Sequence, residues 1–183
     1  MCVLRSRPTP LTTILTRMRR WTQRSANPEP CVSAGAVRPD LSQVKVVLDA
    51  NVFVSAAIQN GASHRIVQSW LAGTERFEVV MCPELLAEIR DVLTTRPRLR
   101  KWVDLDVAVA FVQTIEALVD LVEDPESIEA VTRDANDDYL IALARENDVE
   151  MIVSGDKDLL EWTAQRPPVV TPSDFEGRLS ATD

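Results

Sequence analysis

The chain has 183 residues, 45% of them hydrophobic, and a net charge of −8, which is enough apolar sequence for one ordinary core and too little for two full-sized domains. Its longest uncharged apolar stretches, such as residues 107–115, fall far short of the about 20 residues a helix needs to cross a bilayer. Cys2, Cys31 and Cys82 are odd in number, widely spaced and without a CxxC pair, so neither a disulfide framework nor a zinc cluster is indicated and a reducing cytoplasm is the expected setting.

The net charge conceals an asymmetry. Residues 1–45 carry eight Arg and Lys side chains against Glu29 and Asp40, a local sum of +6, so the remainder carries −14. An acidic body repels nucleic acid at long range, so action on a phosphodiester would require bound cations or a local basic strip. Composition alone argues against a nuclease.

Residues 1–43 are rich in Arg, Thr, Ser and Pro, and Pro28, Pro30 and Pro39 break any regular element there. They are expected to form a basic, disordered extension preceding a single domain over 44–183. Leu11, Ile14, Leu15 and Met18 have helical spacing beside Arg17, Arg19 and Arg20, which permits one short amphipathic helix. The compact apolar run and small-residue cleavage site of a signal peptide are missing.

From Val44 short apolar runs alternate with longer helical ones. VKVVL (44–48) reads as a buried strand and residues 62–72 as a helix; FEVVM (77–81) reads as a second strand and residues 83–94 as a helix with Pro83 in its first turn. A helix over 104–117 leads into ALVDLV (117–122), which can end that helix and begin a strand. Helices over 136–147 and 156–163 and strands at 151–154 and 168–170 complete the set. Strands alternating with helices predict an α/β fold, a three-layer α/β/α sandwich around a largely parallel sheet.

In such sheets the working crevice lies beyond the carboxyl ends of the strands. Asp49 follows VKVVL directly and Asp156 follows MIVSG, so both should project from that edge. In PELLAEIRDVL, Leu85, Leu86, Ile89, Val92 and Leu93 share one side of a helix while Glu84, Glu88 and Asp91 share another. RDANDDYLIALA sets Asp134, Asp137 and Asp138 at the start of a helix whose Leu140, Ile141 and Ala144 face inward. Each acid taken singly has an ordinary explanation as a cap, a turn residue or a solvated helix face. Together they suggest more, because crowded carboxylates repel unless protonated or bridged by a cation, and hard oxygen donors are what Mg²⁺ or Mn²⁺ requires.

VVLDANVFVSAAI, PELLAEIRDVL, RDANDDYLIALA and MIVSGDKDLL occur in the order and spacing of the PIN-domain nucleases, and over about 44–176 the chain resembles especially the VapC-like toxins of bacterial toxin-antitoxin pairs. The resemblance implies an acidic metal site of Asp49, Glu88, Asp137 and Asp156, with Asp138 as the alternative to Asp137. It implies Asn51 and Ser154 as polar groups that orient the ligands, although an Asn beside an Asp after a strand often simply makes a turn. It also implies hydrolysis of RNA phosphodiester bonds with Mg²⁺ or Mn²⁺ as cofactor, leaving 5′-phosphate and 3′-hydroxyl ends, in a toxin silenced by a small antitoxin protein and commonly dimeric.

The single histidine, His64, lies outside all four strings, so metal-bound water rather than a histidine base is expected to supply the nucleophile. Arg96, Arg98, Arg100 and Lys101, followed by Trp102, offer cations and a ring for single-stranded RNA. The plainer reading is a solvated helix end with Trp102 packed in the core, as expected also for Trp70 and Trp162. Two other functions keep the same residues: a housekeeping PIN nuclease of RNA maturation or DNA processing, and a catalytically silent PIN interaction module.

Overall fold

The computed structural model describes residues 44–73, 77–130, 132, 135–162 and 166–180. The expected N-terminal extension with its short helix, and Asp134, lie outside the described residues.

Strand β1 (Val44–Leu48) is followed by helices α1 (Ala50–Ile58) and α2 (Ala62–Leu71), then by β2 (Phe77–Val79). Helix α3 (Pro83–Thr95) leads through a 3₁₀ turn (Pro97–Lys101) to α4 (Leu105–Leu118). After α5 (Ala135–Glu146) come β3 (Met151–Val153), α6 (Lys157–Leu160), β4 (Val169–Val170) and α7 (Pro172–Ser180). The sheet runs β2-β1-β3-β4 with every pairing parallel. The expected α/β sandwich is therefore the fold. Of the strand expected within 117–122, an isolated parallel bridge between Met81 and Leu121 is present, extending the sheet beyond β2 by one rung, with the Val122 N–H on the Met81 carbonyl at 3.0 Å.

Strand order explains where a crevice must form. The chain leaves the central strand β1 toward β2 on one side and later returns to place β3 on the other. With right-handed crossovers, that reversal puts α5 on the sheet face opposite the helices that connect β1 to β2. Helix α5 accordingly packs on β1 and β3, while α1 packs on both α2 and α3. The centre is dry: Val46, Val47, Leu48, Ile152 and Val153 of the middle strands are all at 0% exposure.

Two helices went unread in the sequence. ANVFVSAAI of α1 buries Ala50, Val52, Phe53, Ala56 and Ala57, so it lacks the polar stripe that marks a surface helix, and its Val and Phe content imitates a strand. Its start was readable, since Asp49 caps it by accepting the Asn51 N–H at 2.9 Å. The second, α7, begins T-P-S-D: Thr171 Oγ1 accepts the Asp174 N–H at 3.1 Å and donates to Asp174 Oδ2 at 2.7 Å. That reciprocal cap ahead of a first-turn proline is a helix-start signal.

Candidate metal-binding active site

The register of the sheet assembles the site. Leu48 is paired with Val153 and Val46 with Val79, so one step further along Asp49 stands beside Ser154, and on its other flank level with Cys82. The Asp49 N–H bonds the Val153 carbonyl at 3.0 Å, continuing the ladder to the point where α1 departs. Helix α3 starts at the same edge as β2 ends. Helix α5 ends at Glu146, and four residues on the Glu150 N–H bonds the Lys45 carbonyl at the amino end of β1, so its first turn lies toward the carboxyl edge. The first turns of α1, α3, α5 and α6 thus surround one crevice, with the partial positive charge of their free N–H groups turned toward it.

Asp49 is 4% exposed and both its oxygens are engaged. Oδ1 accepts the Asn51 N–H at 2.9 Å and Oδ2 accepts the Ser154 hydroxyl at 2.5 Å. Burial pushes its carboxyl above the ordinary value of 3.8, the bonds from Ser154 and Asn51 hold it down, and the negative charge of Asp156 pushes it up again. Ser154 Oγ in turn accepts the Asp156 N–H at 2.9 Å. Asp156 caps α6, accepting the Asp158 N–H at 2.8 Å, and stays half-buried.

Glu88 lies on the exposed side of α3, in its second turn. Its Oε2 accepts the hydroxyl of Tyr139 at 2.5 Å. Tyr139, on α5, is 6% exposed, and burial foremost, with Glu88, Asp49 and Cys82 around it, drives its ionisation well above the usual phenol range. Sequence reasoning missed this residue. The available signal was that the chain's single tyrosine stands within the acidic string at the start of a helix.

Asp137 and Asp138 project about 100° apart around α5. Asp138 is 2% exposed and its Oδ1 accepts both the N–H and the hydroxyl of Thr132, at 2.9 and 2.7 Å; it also lines a surface cavity of about 230 Å³ with Ile141, Ala142 and Arg145. Asp137 is half-buried and shares the stripe of Leu140, Ile141 and Ala144, the side that is buried. The structure brings Asp49, Ser154 and Asp156 into direct contact or electrostatic reach, and links Glu88 to them through Tyr139.

Among the described residues, no group of three or more His, Cys, Asp or Glu side chains is placed to hold a metal ion. The donors that do meet at the crevice are carboxylate oxygens, which suits a hard cation bound through one or two carboxylates with water completing its shell, the habit of Mg²⁺.

The basic run sits elsewhere. It begins at Arg96, just past the last residue of α3, and continues through the 3₁₀ turn. Arg96, Arg98 and Lys101 are exposed, while the Arg100 guanidinium donates to the Leu93 carbonyl near the end of α3. Trp102 is not in the core: it is 59% exposed, because the turn that ends at Lys101 buries no side chain of its own. Trp70 is half-buried with its ring edge-on to Phe53 at 6.0 Å, and Trp162 is buried with Arg145 over its face. His64 is buried, its Nδ1 3.1 Å from the Ala56 carbonyl, and takes no part in the crevice.

The PIN domain family profile matches residues 45–158, a span that includes Asp49, Glu88, Asp137 and Asp156. The chain belongs to the PIN domain family. Nuclease is the activity class that PIN membership carries, and PIN nucleases typically use divalent metals. An uncharacterized protein of Methanocaldococcus jannaschii, MJ1680, is 33% identical over 119 residues, covering 64% of this chain and 74% of that protein. The crystal structure of PAE2754 from Pyrobaculum aerophilum superposes with a TM-score of 0.54 at 18% identity, covering 81% of this chain and 99% of that one, which supports the fold alone. Among the described residues of this PIN protein, no helix is long and apolar enough to cross a membrane.

Proposed function

We propose that the protein is a metal-dependent ribonuclease, acting as the toxin of a type II toxin-antitoxin pair. The observation that carries the reading is Asp49: a PIN-domain chain keeps a carboxylate 4% exposed at the carboxyl edge of its central strand, with Asp156 in electrostatic reach. Burying one acid next to another costs stability, and a bound cation offsets that cost.

Asp49, Glu88, Asp137 and Asp156 would hold Mg²⁺ or Mn²⁺. Asp137 is preferred on the resemblance to the VapC-like toxins, with Asp138 as the alternative. The bound ion supplies Lewis acidity, polarising the phosphodiester and lowering the pKa of its water. Ser154 and the Asn51 N–H fix both oxygens of Asp49 before any ligand arrives. The exposed ring of Trp102, with the exposed Arg98 and Lys101 close by in sequence, is open to stack on and pair with a single-stranded substrate. Similarity to VapC-like toxins supports the assignment as a toxin in the cytoplasm, silenced by a small antitoxin and working as a homodimer.

The test is cleavage of single-stranded RNA by freshly purified protein with Mg²⁺, with Mn²⁺ and with EDTA, beside Asp49→Asn. Metal-dependent cleavage lost in the variant is expected. Cleavage that survives EDTA overturns the metal mechanism, and equal cleavage by both proteins overturns the site. Growth arrest on expression, relieved by the neighbouring gene, tests the toxin assignment separately.

A further inference from the structure

Tyr139 presents a puzzle that packing does not answer. Its ring belongs to the main core cluster, yet its hydroxyl is spent on Glu88, a residue on the solvent side of α3. Helix α3 does not need that bond to stay in place, because Leu85, Leu86, Ile89, Val92 and Leu93 already bury its other side. An apolar side chain of similar shape would fill the core position without a polar atom to satisfy, and Glu88, being exposed, would turn to water for its hydrogen bonds. What the hydroxyl adds is orientation. A free glutamate on a helix surface samples many rotamers, whereas an O–H···O⁻ bond of 2.5 Å fixes one carboxylate oxygen and so aims the other.

We infer that Tyr139 is a positioning residue, whose hydroxyl reaches from α5 to Glu88 on α3 and holds the Glu88 carboxylate at the crevice ready to receive a divalent cation. The inference rests on the metal-dependent reading above. It assigns Tyr139 neither as base nor as nucleophile. An ordinary phenol, with a pKa of about 10, keeps its proton at neutral pH, so the hydroxyl is available as a donor. The bond also ties α3 to α5 at one carboxylate.

The experiment titrates Mn²⁺ into wild type and Tyr139→Phe by calorimetry, with metal-free melting curves and RNA cleavage alongside. The Phe variant should raise the Mn²⁺ dissociation constant about tenfold or more and lower kcat, while its metal-free melting temperature stays near that of wild type. In a Glu88→Gln background, Tyr139→Phe should add little further loss of affinity, because the bond it removes serves Glu88. A Phe variant that binds Mn²⁺ as tightly as wild type overturns the inference and leaves the ribonuclease reading standing. So does an affinity loss that simply adds to that of Glu88→Gln. A wild type that neither binds Mn²⁺ nor cleaves RNA overturns both.

A second measurement needs no variant. The chain has a single tyrosine, so protein made with tyrosine ¹³C-labelled at Cζ gives one resonance, which reports the hydrogen bond to Glu88. Saturation with Mg²⁺ should shift it. A Cζ resonance unmoved at saturating Mg²⁺ overturns the inference even where Tyr139→Phe does not fold.

Discussion

Ser154 gives its hydroxyl proton to Asp49 Oδ2 at 2.5 Å and accepts the Asp156 N–H at 2.9 Å, so one buried hydroxyl couples the two acids at the carboxyl edge of the sheet. Removing it in Ser154→Ala leaves a buried carboxylate short of a donor, at a cost of about 1–3 kcal/mol. Loss of an orienting group should also reduce metal affinity or cleavage by about 10–100-fold. Urea denaturation and a cleavage assay check the two parts, and an alanine variant as active as wild type contradicts the second.

Asp49→Asn should abolish cleavage and yet not lower the melting temperature of the metal-free protein. The sign follows from the direction of the shift. The folded-state pKa of Asp49 is raised above 3.8, so the folded protein binds the proton more tightly than the unfolded chain, and stability falls as pH rises from about 3.8 through the folded value. Above that window the ionised Asp49 is a net cost that Asn does not carry. The melting temperature of the variant relative to wild type should therefore climb as the buffer moves from acid toward neutral, then level off. A gap that narrows with rising pH contradicts the burial argument.

The members of the basic run should separate by role. Arg100→Ala loses the bond to the Leu93 carbonyl and should cost about 1.5 kcal/mol, as hydrogen bonds from charged groups do. The exposed pair Arg98→Ala with Lys101→Ala should leave the melting temperature unchanged and raise the Michaelis constant for RNA more than it lowers turnover. A steep fall in turnover at constant Michaelis constant would instead require those cations in the transition state.

Cys82 should be inert in the native protein. It is 0% exposed, and burial, with Asp124 adding to it, pushes its thiol up to about 11, so little thiolate exists at neutral pH. Labelling of Cys82 by a maleimide, read by peptide mass spectrometry, should follow unfolding in urea. Rapid labelling in native buffer contradicts this placement.

Much of this was legible in the sequence for a physical reason: in a parallel sheet the strands are short apolar runs, and the residue after each one points to the crevice. That rule found Asp49 and Asp156, and helical spacing isolated Glu88 on the exposed side of α3. Two features escaped it. Helix α1 is buried nearly all round, so no periodic polar face marks it. The contact between Tyr139 and Glu88 spans 51 residues and two elements, and no local pattern encodes a bond that exists only once both helices have docked. Trp102 failed for the opposite reason: large aromatics pack by default, and nothing in the string around it announces that its turn stands clear of the core.

The bond between Ser154 and Asp49 spans 105 residues, and β1, at the start of the domain, acquires its neighbour β3 only after α5 has been made. A ribosome synthesising this chain therefore releases Asp49 and Glu88 long before Ser154 and Tyr139, which bond them in the folded protein, exist. The crevice closes only when residue 156 has cleared the exit tunnel. Until then the nascent chain carries the acids of the crevice without the geometry that brings them together.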